Sequence, residues 1–104
     1  IREAYDRYVS MDFKHHNAYS AGDRESLMLA MEENERDFPG KKLEIQRAVE
    51  EDDLVVTHSR LQLKPDMPAI AVVHILRFKD GKIVELWDVG QAVPVDSINK
   101  NGAF

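Results

Sequence analysis

The sequence contains no cysteine, so it can form neither a disulfide framework nor a metal site built from thiolates. It also contains no apolar run near the ~20 residues that a helix needs to cross a bilayer, and no signal peptide is recognisable. The absence of cysteine permits a reducing compartment. We therefore expect a soluble, cytoplasmic protein that has no membrane partner.

Positive charge is scarce as well, since 14 Lys and Arg stand against 19 Asp and Glu, giving a net charge of -5. A nucleic-acid-binding domain would need a basic patch, so nucleic acid is not an expected partner. The sequence has no Gly-rich phosphate loop, no Gly-x-Ser-x-Gly elbow and no His-Glu-x-x-His pair. The common nucleotide-binding and hydrolase motifs are therefore excluded.

The 104 residues that are present have the length and the mixed composition of one globular domain. An apolar stripe indicates a helix over residues 1–9, and no N-cap precedes it. We therefore expect the single domain, residues 1–104, to lack upstream residues and, with them, the start of its first helix. Asp23 is a good N-cap for a second helix that runs to about Asp37. Between the helices, residues 10–19 are predicted to be irregular and to roof a pocket.

From Lys41 onward the apolar residues recur with a period of two, which indicates strands. Four strands are predicted, over residues 43–50, 54–63, 70–78 and 83–89. Their short connections make a four-stranded antiparallel meander with helices before it, so the predicted fold class is α+β. A curved sheet with helices across one side encloses a cone, and we expect a ligand pocket between the two layers.

The last two strands form a hairpin whose register decides which side chains face the pocket. A strict two-residue turn would pair His74 with Trp87 and put Asp88 on the opposite face. A type I turn with a bulge at its glycine would pair Val72 with Asp88 and His74 with Leu86. We favour this second register, because His74 and Asp88 then share a mostly apolar face and Trp87 lies on the other. The outer face would carry Val73, Ile75, Arg77, Ile83, Glu85 and Trp87.

Asp88 on an apolar strand face needs a physical reason, since burying an unpaired carboxylate costs several kcal/mol. It is either a structural partner of His74 or a base in a pocket. A carboxylate becomes a stronger base where apolar neighbours raise its pKa, and an adjacent imidazole can hold a proton or polarise a carbonyl. Such a pair suits removal of a proton next to a carbonyl. A metal site from His16, His58, His74 and Asp88 is the weaker alternative, because no compact His-x-His or His-x-Asp spacing anchors it.

The sequence around this hairpin also resembles a known family. The run from Phe78 to Val89, FKDGKIVELWDV, resembles the last hairpin of the SnoaL-like polyketide cyclases, in the nuclear transport factor two and ketosteroid isomerase superfamily. Further segments resemble a subgroup described as predicted aldol-condensation enzymes: His16-Asn17, Asp53 to Val56, His58-Ser59, Val73-His74-Ile75, Gln91, Pro94 and Asn101 to Phe104. The resemblance covers nearly the whole chain. It is more specific for the fold than for the activity, because this fold hosts enzymes and binding modules alike.

The resemblance implies a cone-shaped fold, a homodimer formed through the outer sheet face, and no cofactor. In the cyclases an Asp on the final strand takes a proton from an activated carbon of a polyketide ester, and the enolate attacks a carbonyl of the same molecule. Asp88 matches that Asp, His74 matches a His on the preceding strand, and His16 matches a His in the loop after the first helices. The apolar outer-face patch expected to form the dimer consists of Val73, Ile75 and Trp87.

Two functions of different classes follow from these observations. The first is an enzyme that removes a proton next to a carbonyl of a small-molecule substrate, with Asp88 as the base and His74 as its partner. The second is a module that binds a small apolar molecule without turnover.

The sequence leaves open which face of the second predicted strand, residues 54–63, turns towards the pocket. The candidate substrate-binding residues are His16, His58, Val72, Leu86 and Trp87.

Overall fold

A computed structural model describes all residues 1–104 as two helices and five strands. Their bounds are α1 Arg2–Tyr8, β1 Val9–His15, α2 Arg24–Asp37, β2 Lys42–Glu51, β3 Leu54–Gln62, β4 Ile70–Lys79 and β5 Lys82–Ala92. The strands form one curved sheet in the order β1-β5-β4-β3-β2, so the predicted α+β class is confirmed. Neither helix has the length and apolar composition that a membrane crossing requires.

The strand β1 is an addition to the predicted meander. The prediction of an irregular segment is wrong for residues 10–15, which belong to a strand that runs parallel to β5. Lys14 pairs with Glu85 and His15 with Leu86. These residues form a strand because β5 offers an unpaired edge far along the chain, and no local pattern reports such a partner.

A two-residue turn closes the hairpin between β4 and β5. Asp80 and Gly81 have φ angles of 53° and 79°, the positive values of a type I′ turn. Phe78 pairs with Ile83 beside the turn, and Val84 is then left over as a bulged residue before regular pairing resumes. The bulge therefore lies on β5 and not at the turn glycine. It turns Ile83, which the sequence analysis assigns to the outer face, towards the helices.

Beyond the bulge, this register changes the predicted partners but keeps the predicted faces. His74 pairs directly with Asp88, so the predicted pairs of Val72 with Asp88 and of His74 with Leu86 are wrong. For these pairs the error is a shift of two residues, and side chains alternate with a period of two, so no residue beyond the bulge changes face. The prediction that His74 and Asp88 share one face while Trp87 lies on the other is confirmed. We call the face with Asp88 the inner face and the face with Trp87 the outer face.

Both helices lie over the β1–β5 side of the inner face. The Asp23 side chain accepts the backbone N–H of Ser26, which confirms Asp23 as the N-cap of α2. Arg24 then joins the two helices, because its guanidinium lies over the Tyr5 ring and donates to the carbonyl of Ser10. The buried core under the helices consists of Tyr5, Val9, Phe13, Leu27 and Met28, with Ile83 and Leu86 of the sheet packed against it.

The part of the inner face formed by β2, β3 and β4 is not covered by a helix. Neither helix packs against β2, β3 or β4. Leu43 and Ile45, on the inner face of β2, are 52% and 62% exposed as a result. An open cleft therefore lies beside the helices, along the inner face of the sheet.

Candidate active site

The cleft has a volume of about 800 Å³ and runs from the turn after β1 and the end of α2 across the inner face of the sheet. Ligand pockets typically enclose ~300–1,000 Å³, so a small molecule fits in this space. Nine of its 17 lining residues are hydrophobic. The remaining side chains that can hydrogen-bond are Asn17, Asn34, Glu35, Lys41, His74, Asp88 and Gln91.

His74 and Asp88, the two predicted catalytic residues, lie directly opposite each other on β4 and β5. The His74 Nε2 is 3.4 Å from the Asp88 Oδ1, longer than an ordinary N–H···O hydrogen bond. Their side chains are 27% and 25% exposed, and both line the cleft. The Asp88 Oδ1 therefore keeps a lone pair that a bound molecule can reach.

Asn17 holds the second oxygen of Asp88. The Asn17 Nδ2 donates to the Asp88 Oδ2 at 2.8 Å, while the Asn17 Oδ1 accepts the backbone N–H of Tyr19 at 2.8 Å. The Asn17 amide thus makes hydrogen bonds through both its nitrogen and its oxygen, and these two bonds determine its orientation. Sequence analysis did not select Asn17 as a site residue. The alternation of Phe13, His15 and Asn17 continues the inward face of β1 and could have identified it once β1 was recognised.

Two apolar site residues take different positions. Val72 is 5% exposed and lines the cleft, as expected for a substrate-binding residue. Leu86 faces inward too, but it packs under the helices against the core and does not line the cleft. Leu86 lies away from the cleft because α1 and β1 cover that part of β5.

His16 lies on the outer face, so the prediction that it lines the pocket is wrong. Trp87 lies on the outer face as predicted, and it does not line the cleft although it is a candidate substrate-binding residue. Their rings stack with centroids 5.0 Å apart at 10°, and the His16 Nε2 bonds to the Glu85 Oε2 at 2.7 Å. Neighbouring residues of an extended chain point to opposite sides, so only one of the adjacent histidines can face inward. That residue is His15, which is 5% exposed.

His58 also lies on the outer face, and its predicted place in the pocket is wrong. Thr57 pairs with His74, which puts the odd-numbered residues of β3 inside and His58 outside. There the His58 ring stacks on Phe104 and contacts the Arg47 guanidinium. The four residues considered as a metal site are thus divided between two faces, and no three His, Asp or Glu side chains lie close enough to hold a metal ion.

Glu85 forms a second carboxylate–histidine pair, on the outer face of the same strand. The hydrogen bond from His16 holds the pKa of Glu85 below its usual range, and the charges of Lys14 and Arg77 act in the same direction. The Lys14 Nζ and the Arg77 Nε lie 3.8 Å and 3.6 Å from the Glu85 carboxylate. Glu85 therefore has cationic partners on both oxygens, and it does not line the cleft.

Comparisons with known proteins agree with this architecture. The family model described as SnoaL-like polyketide cyclase matches residues 2–96. AclR from Streptomyces galilaeus, described as a candidate hydroxylase, is similar with 26% identity and a TM-score of 0.73, over 86% of this chain and 67% of AclR. No match was found among curated proteins.

Two further solved structures share the fold. IdmH from Streptomyces antibioticus, described as a candidate polyketide cyclase, has 21% identity and a TM-score of 0.71, over 86% of this chain and 80% of IdmH. A candidate SnoaL-like polyketide cyclase from Jannaschia sp. CCS1 has 17% identity and a TM-score of 0.72, over 86% of this chain and 72% of its own. At these identities the likeness extends to the fold alone.

Proposed function

Since the chain belongs to the SnoaL-like polyketide cyclase family, we propose that it removes a proton next to a carbonyl of a small, largely apolar compound, as in an intramolecular aldol condensation. The observation that carries this proposal is the free Oδ1 of Asp88, which lies in the cleft beside His74. Apolar walls such as Met31, Leu61 and Ile70 suit a substrate with a hydrocarbon body.

The proposed reaction balances within one substrate molecule that has two carbonyl groups. The Asp88 Oδ1 accepts a proton from the carbon between a ketone and an ester, and the C–H electron pair forms the enolate. The enolate carbon then attacks a second ketone, so a C–C bond forms and the carbonyl π pair moves onto its oxygen. Asp88 returns the proton to this alkoxide. The product is an isomer of the substrate, and the carboxylate is regenerated.

Two neighbours would support the base in this step. Asn17 holds the Asp88 Oδ2 and leaves the Oδ1 directed towards the cleft. The His74 Nε2, beside the Oδ1, is suited to donate to the oxygen on which the enolate charge develops. Neither residue needs to take up the substrate proton itself.

A suitable probe is the methyl ester of straight-chain octanoic acid with ketones at its third and seventh carbons, here called the diketo ester. Its activated second carbon can close a six-membered ring on the distant ketone. Asp88→Asn keeps the shape and the hydrogen-bonding capacity but loses the basic oxygen, so turnover should fall at least about a hundredfold. The matched variant is Glu85→Gln on the outer face, for which turnover should stay within about twofold.

Wild-type turnover that persists in Asp88→Asn would end the enzyme assignment. A binding module would behave differently, since Asp88→Asn would then change ligand affinity modestly and no condition would yield the cyclic product. Circular dichroism of both variants verifies that the fold is intact.

We also propose that the chain forms a homodimer through the outer face. No helix covers this face, and Val73 and Ile75 lie beside Trp87 on adjacent strands. Val89, on the same face, is 61% exposed. A second copy would remove this apolar surface from water.

A further inference from the structure

A buried histidine lies behind Asn17. His15, the last residue of β1, is 5% exposed, and its ring stacks on Phe13 with centroids 6.1 Å apart at 27°. The His15 Nδ1 accepts the backbone N–H of Asn17 at 3.2 Å. The His15 Nε2 is buried and has no hydrogen-bond partner.

These contacts define the tautomer of the neutral His15 ring. A nitrogen that accepts an N–H must present its lone pair, so the neutral imidazole carries its proton on Nε2. That N–H then lies in the interior without an acceptor, which destabilises the folded state. For packing beside Phe13 alone, an apolar side chain of similar size would serve better. An apolar side chain could not accept the Asn17 N–H, so this contact is what an imidazole contributes at position 15.

Asn17 depends on this contact more than its neighbours do. His16 donates its backbone N–H to the Leu86 carbonyl at 2.8 Å, and His15 donates its own to the Gly22 carbonyl at 3.3 Å. The Asn17 N–H has no backbone acceptor and bonds only to the His15 ring. The side chain of Asn17 is the one that holds the Asp88 Oδ2.

We propose that His15 is a positioning residue for the Asp88 carboxylate and that it acts through Asn17. The ring fixes the backbone of Asn17, the amide of Asn17 fixes the Oδ2, and the Oδ1 is thereby aimed into the cleft. This role rests on the proposed function, in which Asp88 is the base. His15 touches no substrate, since it does not line the cleft.

Two substitutions separate positioning from packing. His15→Leu fills the apolar space and removes the orphan N–H, but it offers no acceptor to Asn17. His15→Asn packs poorly against Phe13, yet its side-chain oxygen can accept the N–H two residues further on, as in an Asx turn. His15→Leu should therefore keep or gain stability and lose the positioning of Asn17, whereas His15→Asn should lose stability and keep that positioning.

With the diketo ester, kcat of His15→Leu should fall about tenfold while KM changes less than about twofold, because the reacting groups are misplaced and binding is not. Its unfolding temperature should equal or exceed that of the wild type. His15→Asn should unfold at a lower temperature and keep kcat within about threefold of the wild type. A purely structural His15 predicts the reverse, with activity following stability.

A second readout does not depend on turnover. In amide NMR, the side-chain NH2 of Asn17 should exchange slowly with solvent in the wild type and in His15→Asn, and faster in His15→Leu. If this holds but the wild type does not cyclise the diketo ester, the proposed function fails, while the link from His15 through Asn17 to the Asp88 carboxylate stands as a structural one. If the wild type is active and His15→Leu keeps full kcat, or if Asn17 exchange is the same in all three proteins, the positioning role is overturned.

Discussion

Strand β5 carries two carboxylate–histidine pairs on opposite faces, and their surroundings differ. On the outer face, Glu85 accepts a 2.7 Å hydrogen bond from His16 and lies within 4 Å of both Lys14 and Arg77. On the inner face, Asp88 receives one hydrogen bond, from the neutral amide of Asn17. Its histidine is 3.4 Å away, and the cleft lies in front of it.

A histidine beside a carboxylate does not by itself make that carboxylate a base. Cationic donors stabilise the ionised form of Glu85 and hold its pKa below the usual range, which makes it a weaker proton acceptor. Asp88 has fewer donors, and one oxygen stays free for a substrate. We therefore propose a chemical role for the inner pair and a place at the dimer interface for the outer pair.

A large effect on self-association is expected at the outer face. Trp87→Asp puts a charge into the proposed dimer interface and should weaken self-association at least about thirtyfold, as for an interface hot spot. Sedimentation of the wild type at tens of micromolar should show a dimer, whereas the variant should be a monomer. Met11→Asp is a matched control, because Met11 is 81% exposed and lies on the edge strand β1. A monomeric wild type at this concentration would refute the interface.

A tenfold loss of turnover is expected when the histidine of the inner pair is removed. His74→Ala should lower turnover of the diketo ester about tenfold, less than Asp88→Asn, because polarisation is lost while the base remains. His16→Ala is the corresponding change in the outer pair, and its turnover should stay within about twofold. Equal losses in the two variants, measured by steady-state kinetics, would remove the distinction between the faces.

The smallest effect concerns stability in acid. The folded-state pKa of Glu85 lies below its ordinary value of 4.5, so its bonds stabilise the folded state above that pH and are lost as the pH falls through the folded value. Glu85→Gln should therefore lower the unfolding temperature at neutral pH, and the difference from the wild type should shrink near about pH 3. Added salt should also reduce the difference in unfolding temperature between Glu85→Gln and the wild type. A difference that is the same at both pH values would argue against this ion cluster.

The parts of the fold that the sequence predicts are those with local causes. The Asp23 cap, the period-two strands and the place of the turn at Asp80 and Gly81, though not its type, all have causes within a few residues. The strand β1 could not be predicted in this way, since it pairs with the distant edge of β5. The bulge at Val84 is likewise set by how two strands meet, and no residue type requires it.

In the candidate site, too, the predictions that fail are those that depend on pairing between strands. Asp88 and His74 were assigned to one face correctly because an error of two residues in register does not exchange faces. His16 and Asn17 depend on β1, so missing that strand placed His16 inside and left Asn17 unnoticed. His58 depends on the pairing of Thr57 with His74, which the sequence of β3 alone does not determine.

The most direct test of the base separates proton removal from ring closure. The monoketo ester, with a ketone only at the third carbon of the same octanoate, can lose its activated proton but cannot cyclise. Its deuterium uptake in heavy water, followed by NMR, should be accelerated equally by the wild type and Glu85→Gln, and should remain at the uncatalysed rate with Asp88→Asn. Exchange by Asp88→Asn at the wild-type rate, or loss of exchange in Glu85→Gln, would contradict the assignment of the base to the inner pair.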